Sequence, residues 1–284
     1  YWQKINREVL KNSDEITSGI RIAYLLLCLS VSFAISISSV SNIISETFHA
    51  SEFNWPRIPT LLIWLLVWSY HLKVLLQAKS SSHVYSQSLR NTFVYSFSFI
   101  GLFILASSLS SLIYLAVFNI IQNTVNNGEI LISNGSLNSL RLTMSVLIGF
   151  GTWSVHWLIL RNKLVKQEYE PIYLYLIYTV TIVSLMISST MLLMTLLGKV
   201  FQIDEMDEWR FILISSISTL STGAAVLFYH TKLVPNTYQM TASFKKPNAA
   251  LIFSLAFFGL GFLSAGFSVL IHSVMISLLQ LSWT

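Results

Sequence analysis

The sequence predicts an all-α protein, a polytopic integral membrane bundle of seven transmembrane helices built from tandem helical hairpins, and three observations carry that prediction. Hydrophobic residues make up 54% of the chain and charged residues 10%, which is more apolar surface than a soluble domain of this length can bury. The apolar residues fall in continuous runs of about 20 or more, long enough to cross a hydrocarbon core of roughly 30 Å as helices. They lack the alternation of a barrel strand, and a backbone in lipid must satisfy its own hydrogen bonds. Finally, one phrase closes alternate apolar runs: Trp68-Ser69-Tyr70-His71-Leu72-Lys73, then Trp153-Ser154-Val155-His156-Trp157, then a degraded copy, Phe228-Tyr229-His230-Thr231-Lys232. Such self-similarity marks a repeated supersecondary unit, here a two-helix hairpin.

Taken in order, residues 1–20 set Trp2, Ile5, Val9 and Ile16 among Lys4, Arg7, Glu8, Lys11, Asp14 and Glu15, the spacing of a short amphipathic helix on the cytoplasmic membrane surface. The chain starts at Tyr1 without a methionine, as expected of a processed product. Membrane helices are expected near 22–46, 58–77, 92–121, 138–160, 172–201, 210–234 and 249–280, the odd-numbered ones longer and therefore tilted or projecting. They group into hairpin repeats at 21–90, 91–170 and 171–247 and a half repeat at 248–284. The pattern calls for an eighth helix beyond Thr284. The stretch 122–137, with Asn126-Asn127-Gly128 and Asn134-Gly135-Ser136, reads as a polar outer loop.

The formal charge of +5 is distributed as membrane topology, not as a nucleic-acid surface. Lys4, Arg7, Lys11, Arg21, Lys73, Lys79, Arg90, Arg161, Lys163, Lys166, Lys232, Lys245 and Lys246 fall in the N-terminal segment and the loops after helices 2, 4 and 6, against Arg57, Arg141, Lys199 and Arg210 on the other side. The positive-inside rule then puts the N-terminus in the cytoplasm and, with seven helices, Thr284 outside. The single cysteine, Cys28, can make no intrachain disulfide.

No Asp, Glu, Lys or Arg lies near a predicted helix centre. Polarity there comes from Ser38 and Ser39, Ser107 and Ser108, and Ser188 and Ser189, each pair at a similar depth after an aromatic (Tyr24, Tyr95, Tyr175). With Gly149, Gly151, Gly261 and Ala265 they read as helix-packing seams, where small residues let backbones approach, in preference to a polar substrate path.

The recurring histidines His71, His156 and His230 are the candidates for chemistry, because neutral imidazole ligates metals and tetrapyrroles. They would be the cofactor-binding residues if a haem or chlorophyll-type pigment were held. The favoured alternative is an interfacial belt of Trp68, Trp153, Trp157 and Tyr229 with the histidines at helix C-terminal ends, where the macrodipole favours a cation. His272 reads as a packed polar residue, and His49 and His83 as loop residues.

Enzyme signatures are absent: no Gly-rich phosphate loop, no His-Glu-x-x-His, no Gly-x-Ser-x-Gly and no intramembrane carboxylate pair. Asp204, Glu205, Asp207 and Glu208 match no calcium-loop spacing and read as a solvated loop. The last helix lacks the lysine of a retinal protein, and the inferred orientation is opposite to that of a G-protein-coupled receptor. It matches insect chemoreceptors, but their last-helix signature is missing. No proline (Pro56, Pro59, Pro171, Pro235, Pro247) interrupts a helix centre, which argues against the broken helices common in transporters. Expected partners are the lipid bilayer and other membrane subunits or further copies of the chain.

The unit Tyr173-Leu174-Tyr175 before an apolar run, and the closing Trp153-Ser154-Val155-His156-Trp157 before Arg161, resemble the tandem two-helix repeats of a bacterial membrane-protein family known as a domain of unknown function. The resemblance implies a bacterial inner-membrane protein of repeated hairpins and brings no activity with it. The first unit departs by having Leu72 where the second has Trp157, and the third lacks the tryptophan before its histidine. The expected function is that of a non-enzymatic scaffold or accessory subunit, with a pigment- or haem-associated subunit and a transporter or channel as the alternatives.

Overall fold

In a computed structural model, residues 19–48, 57–77, 84–125, 132–164, 170–200 and 209–233 are described, with eight more between 256 and 275. All of them are helical. The helices are α1 (Gly19–Phe48), α2 (Arg57–Gln77), α3 (Val84–Val125), α4 (Ile132–Ser154), α5 (Arg161–Leu164), α6 (Glu170–Val200) and α7 (Trp209–Phe228). A π-helical segment, Val155–Leu160, joins α4 to α5, and another, Tyr229–Leu233, prolongs α7. Among the described residues six helices are long and apolar enough to cross a membrane. Of the segment expected at 1–20, residues 1–18 lie outside the described residues and 19–20 open α1; most of the seventh span at 249–280 also lies outside them, and its eight described residues are helical.

Helix starts follow local rules. Pro59 and Pro171 both fall in the first turn, of α2 and α6, where a missing N–H costs nothing. Two boundaries depart from the sequence reading. Arg90 was expected in a loop after the second helix, but α3 begins at Val84 and carries Arg90 on its second turn. The polar loop expected at 122–137 is likewise invaded from both sides, by α3 to Val125 and by α4 from Ile132. Both errors have one cause: the apolar run marks what lipid would cover, whereas backbone hydrogen bonding carries a helix on into polar sequence.

The chain divides into two compact units, residues 1–170 and 171–284. In the first, α1 packs on α2 and α3, and α3 runs along α4. A core forms where the start of α1 (Ile22, Leu25, Leu26, Leu29), the end of α2 (Val74, Leu75), the start of α3 (Phe93, Val94) and the end of α4 and its extension (Leu160, Leu164) meet. At the opposite end of the α1–α2 pair, Arg57 reaches Glu46 at 2.7 Å. The antiparallel α3–α4 contact is close to backbone on backbone. A Cβ on Gly101 would lie 2.5 Å from the Trp153 nitrogen, and one on Gly149 would lie 2.5 Å from the Leu105 nitrogen. Glycine is what lets the two backbones approach that far, since any larger side chain would stand between them.

In the second unit α6 and α7 pack through side chains. Leu185 fills the space over Gly223, and the Tyr178 hydroxyl donates to the His230 carbonyl at 3.0 Å.

Candidate functional site

Each of the three histidines makes the same local bond. Nδ1–H donates to the carbonyl four residues earlier: His71 to Val67 at 2.7 Å, His156 to Thr152 at 2.8 Å and His230 to Val226 at 2.9 Å. A carbonyl can only accept, so Nδ1 carries the proton and, in the neutral ring, Nε2 holds the lone pair. This is the arrangement by which proteins orient a metal-ligating imidazole, with the second nitrogen anchored to the backbone.

The histidines differ in their surroundings. His156 is 1% exposed and is ringed by Phe33 of α1 and Phe93 and Phe97 of α3, with the Phe97 ring stacked at 5.1 Å. His230, also buried, lies 6.1 Å from the Tyr173 ring and 4.9 Å from Tyr229. His71 is half-buried against Tyr24 and Tyr70. His156 and His230 each occupy the second position of a π-helical segment, whereas α2 is α-helical through His71. In the first of these segments the Arg161 N–H closes a five-residue bond on the His156 carbonyl. Such insertions re-aim side chains and are frequent at functional sites.

Around these rings, Trp153 and Trp157 are buried, at 7% and 1% exposure, while Trp68 and Tyr229 are half-buried. The Arg161 guanidinium lies over the Trp157 ring at 4.4 Å. Among the described residues no three His, Cys, Asp or Glu side chains gather to hold a metal ion.

Of the serine pairs, Ser39, Ser108 and Ser188 are buried and Ser38, Ser107 and Ser189 are exposed. The buried hydroxyls bond mainly within their own helix: Ser32 to Cys28, Ser36 to Ser32, Ser39 to Ile35 and Ser98 to Val94, all on backbone oxygens between 2.6 and 2.8 Å. Serine so bonded behaves as a small packing residue. A Cβ on Gly261 would meet nothing within 4 Å, and Ala265 lies outside the described residues, as do His49, His83, His272 and the acidic stretch 204–208.

Sequence reasoning missed the groups that surround His156 and a polar cluster on α3. Gln87, Arg90 and Asn91 are all buried there, with Gln87 Nε2 donating to Asn91 Oδ1 at 2.8 Å and to the Leu164 carbonyl at 3.2 Å. The available signal was periodic: Gln87, Arg90 or Asn91, Val94, Ser98 and Gly101 recur every three or four residues and form one helix face.

Residues 91–230 match the model of a family described as Domain of unknown function (DUF5671). The match begins on α3 at Asn91 and closes on His230, so it takes in two of the three histidines. No curated protein and no solved structure matches the chain.

Proposed function

We infer that the protein is a non-enzymatic integral membrane protein of the bacterial inner membrane, built from repeated hairpins with its N-terminus in the cytoplasm, and that it serves as a scaffold or accessory subunit of a larger membrane assembly. The observation that carries this reading is the use of polarity within the spans. Buried hydroxyls donate to their own helices, and α3 meets α4 at Gly101 and Gly149 with no room for a solute between the backbones. A seam of that kind supports a fixed platform more readily than a path that must open and close. Purification in mild detergent should yield a stable homo-oligomer or co-purifying membrane subunits. A monodisperse monomer that moves solute in proteoliposomes would sink the reading.

A second reading, a haem- or pigment-associated subunit, is favoured by the thrice-repeated Nδ1–carbonyl bond, which leaves Nε2 as the coordinating nitrogen. His71, His156 and His230 would hold such a group through Nε2, and it would supply redox or light-absorbing chemistry. A visible absorption spectrum of the natively purified protein decides between the two. A colourless protein removes this reading, and a band that loses a definable share in His156→Gln establishes it.

A further inference from the structure

We propose that Arg90 and Asn91, on the second turn of α3, form a binding site for a phosphate-bearing anion at the end of the first unit where α1 begins and α2 ends. Arg90 is 2% exposed, yet its Nε and Nη2 are buried and meet no acceptor, and Asn91 Nδ2 is in the same condition. The other polar group of the cluster is no help to them. The one side-chain oxygen of Asn91 already accepts from Gln87, and Gln87 gives its amide to that oxygen and to the Leu164 carbonyl. Three donor groups on adjacent positions of one helix turn are therefore buried without an acceptor among the described residues.

Chemistry identifies what fits. A guanidinium taken out of water without a partner is far more costly than a neutral polar group in the same position, and such charges are normally paired. The planar edge carrying Nε and Nη2 presents two parallel N–H donors, the fork that matches two oxygens of a phosphate or phosphodiester. Side chains on a helix lean toward its N-terminus, so the guanidinium is carried toward the first turn of α3, where the positive end of the helix dipole also favours an anion. The neighbouring core, which includes Val94, Leu160 and Leu164, is apolar and offers the guanidinium no acceptor. The same oxygens could come from an anionic phospholipid or from a soluble phosphate compound.

The test uses the full chain in bilayer nanodiscs of phosphatidylcholine, alone or with added phosphatidylglycerol, with inorganic phosphate titrated into the phosphatidylcholine discs as a separate arm. The wild-type melting temperature should rise by about 4 °C or more with one of the two probes, the size expected of one or two charge-assisted hydrogen bonds in a chain of this length. The probe that acts names the source. Arg90→Met should respond to neither probe and should, in phosphatidylcholine alone, melt at or above the wild type, because it removes an unpaired buried charge. Lys163→Gln, an exposed cation on α5, should respond as the wild type does. Arg90→Lys keeps the charge without the fork and should respond less, which supplies a readout should Arg90→Met not fold. The proposal is overturned by a wild type indifferent to both probes, by a full response in Arg90→Met or Arg90→Lys, or by loss of the response in Lys163→Gln.

Discussion

Single residues carry the sharpest consequences, and the glycines illustrate this. Gly101 and Gly151 sit fifty residues apart by number and look alike in the sequence, both inside apolar helices. A methyl group on Gly101 would collide with the Trp153 backbone, while one on Gly151 would meet nothing within 4 Å. Gly101→Ala should therefore cost about 1–3 kcal/mol through overpacking, and Gly151→Ala should be neutral or stabilising by up to about 1 kcal/mol through helix propensity. Thermal unfolding in detergent checks both, and equal effects at the two sites would contradict the α3–α4 contact. The histidines rank in the same way. His156→Gln removes a ring packed by three phenylalanines and should destabilise by about 1–3 kcal/mol, clearly more than His71→Gln at its half-buried site. The sequence located all three histidines by their recurring phrase. The phenylalanines around His156 were not legible, because Phe33 comes from a helix remote in sequence and no local pattern announces a tertiary contact.

At the scale of elements, the existence of the helices was legible and their ends were not. Apolar runs placed every described span, and the first helix of each successive pair is the longer: 30 residues in α1 against 21 in α2, 42 in α3 against 23 in α4, 31 in α6 against 20 in α7. Hydropathy could not show that α3 starts at Val84, because Gln87, Arg90 and Asn91 are polar yet helical and buried. Nor could it show the π-helical segments, which are matters of hydrogen-bond register. The segment Val155–Leu160 accommodates an extra residue while Leu160 and Leu164 stay on the core face. Deleting the exposed Ile159 should let it relax to α-helix with that face kept, at a cost of about 1–2 kcal/mol. Deleting Ile148, in regular α-helix, has no such reserve: it turns every later side chain by about 100° and should abolish folding. Comparing expression and melting of the two deletion variants checks the prediction, and equal tolerance would mean that the π-helical segment is not a stored insertion.

For the whole molecule, the open question that the charges can answer is orientation, and the Arg90 site depends on it. Thirteen of the 17 basic residues fall on the side that holds residue 1 if the spans alternate, and four on the other. Short loops follow the positive-inside rule, so residues 79 and 166 should face the cytoplasm and residue 127 the outside. The single native cysteine makes this testable with few changes. In a Cys28→Ser background, Asn127→Cys should react with a membrane-impermeant maleimide in intact cells, whereas Lys79→Cys and Lys166→Cys should react only after permeabilisation. The reverse pattern would invert the bundle, and reaction of all three in intact cells would refute alternating spans. With the expected result, the start of α3 and the end of α2 lie at the inner leaflet, as does the basic stretch Arg161–Leu164. That leaflet carries the anionic lipids and the negative surface potential. The buried Arg90 would then hold one of those headgroup phosphates inside the bundle.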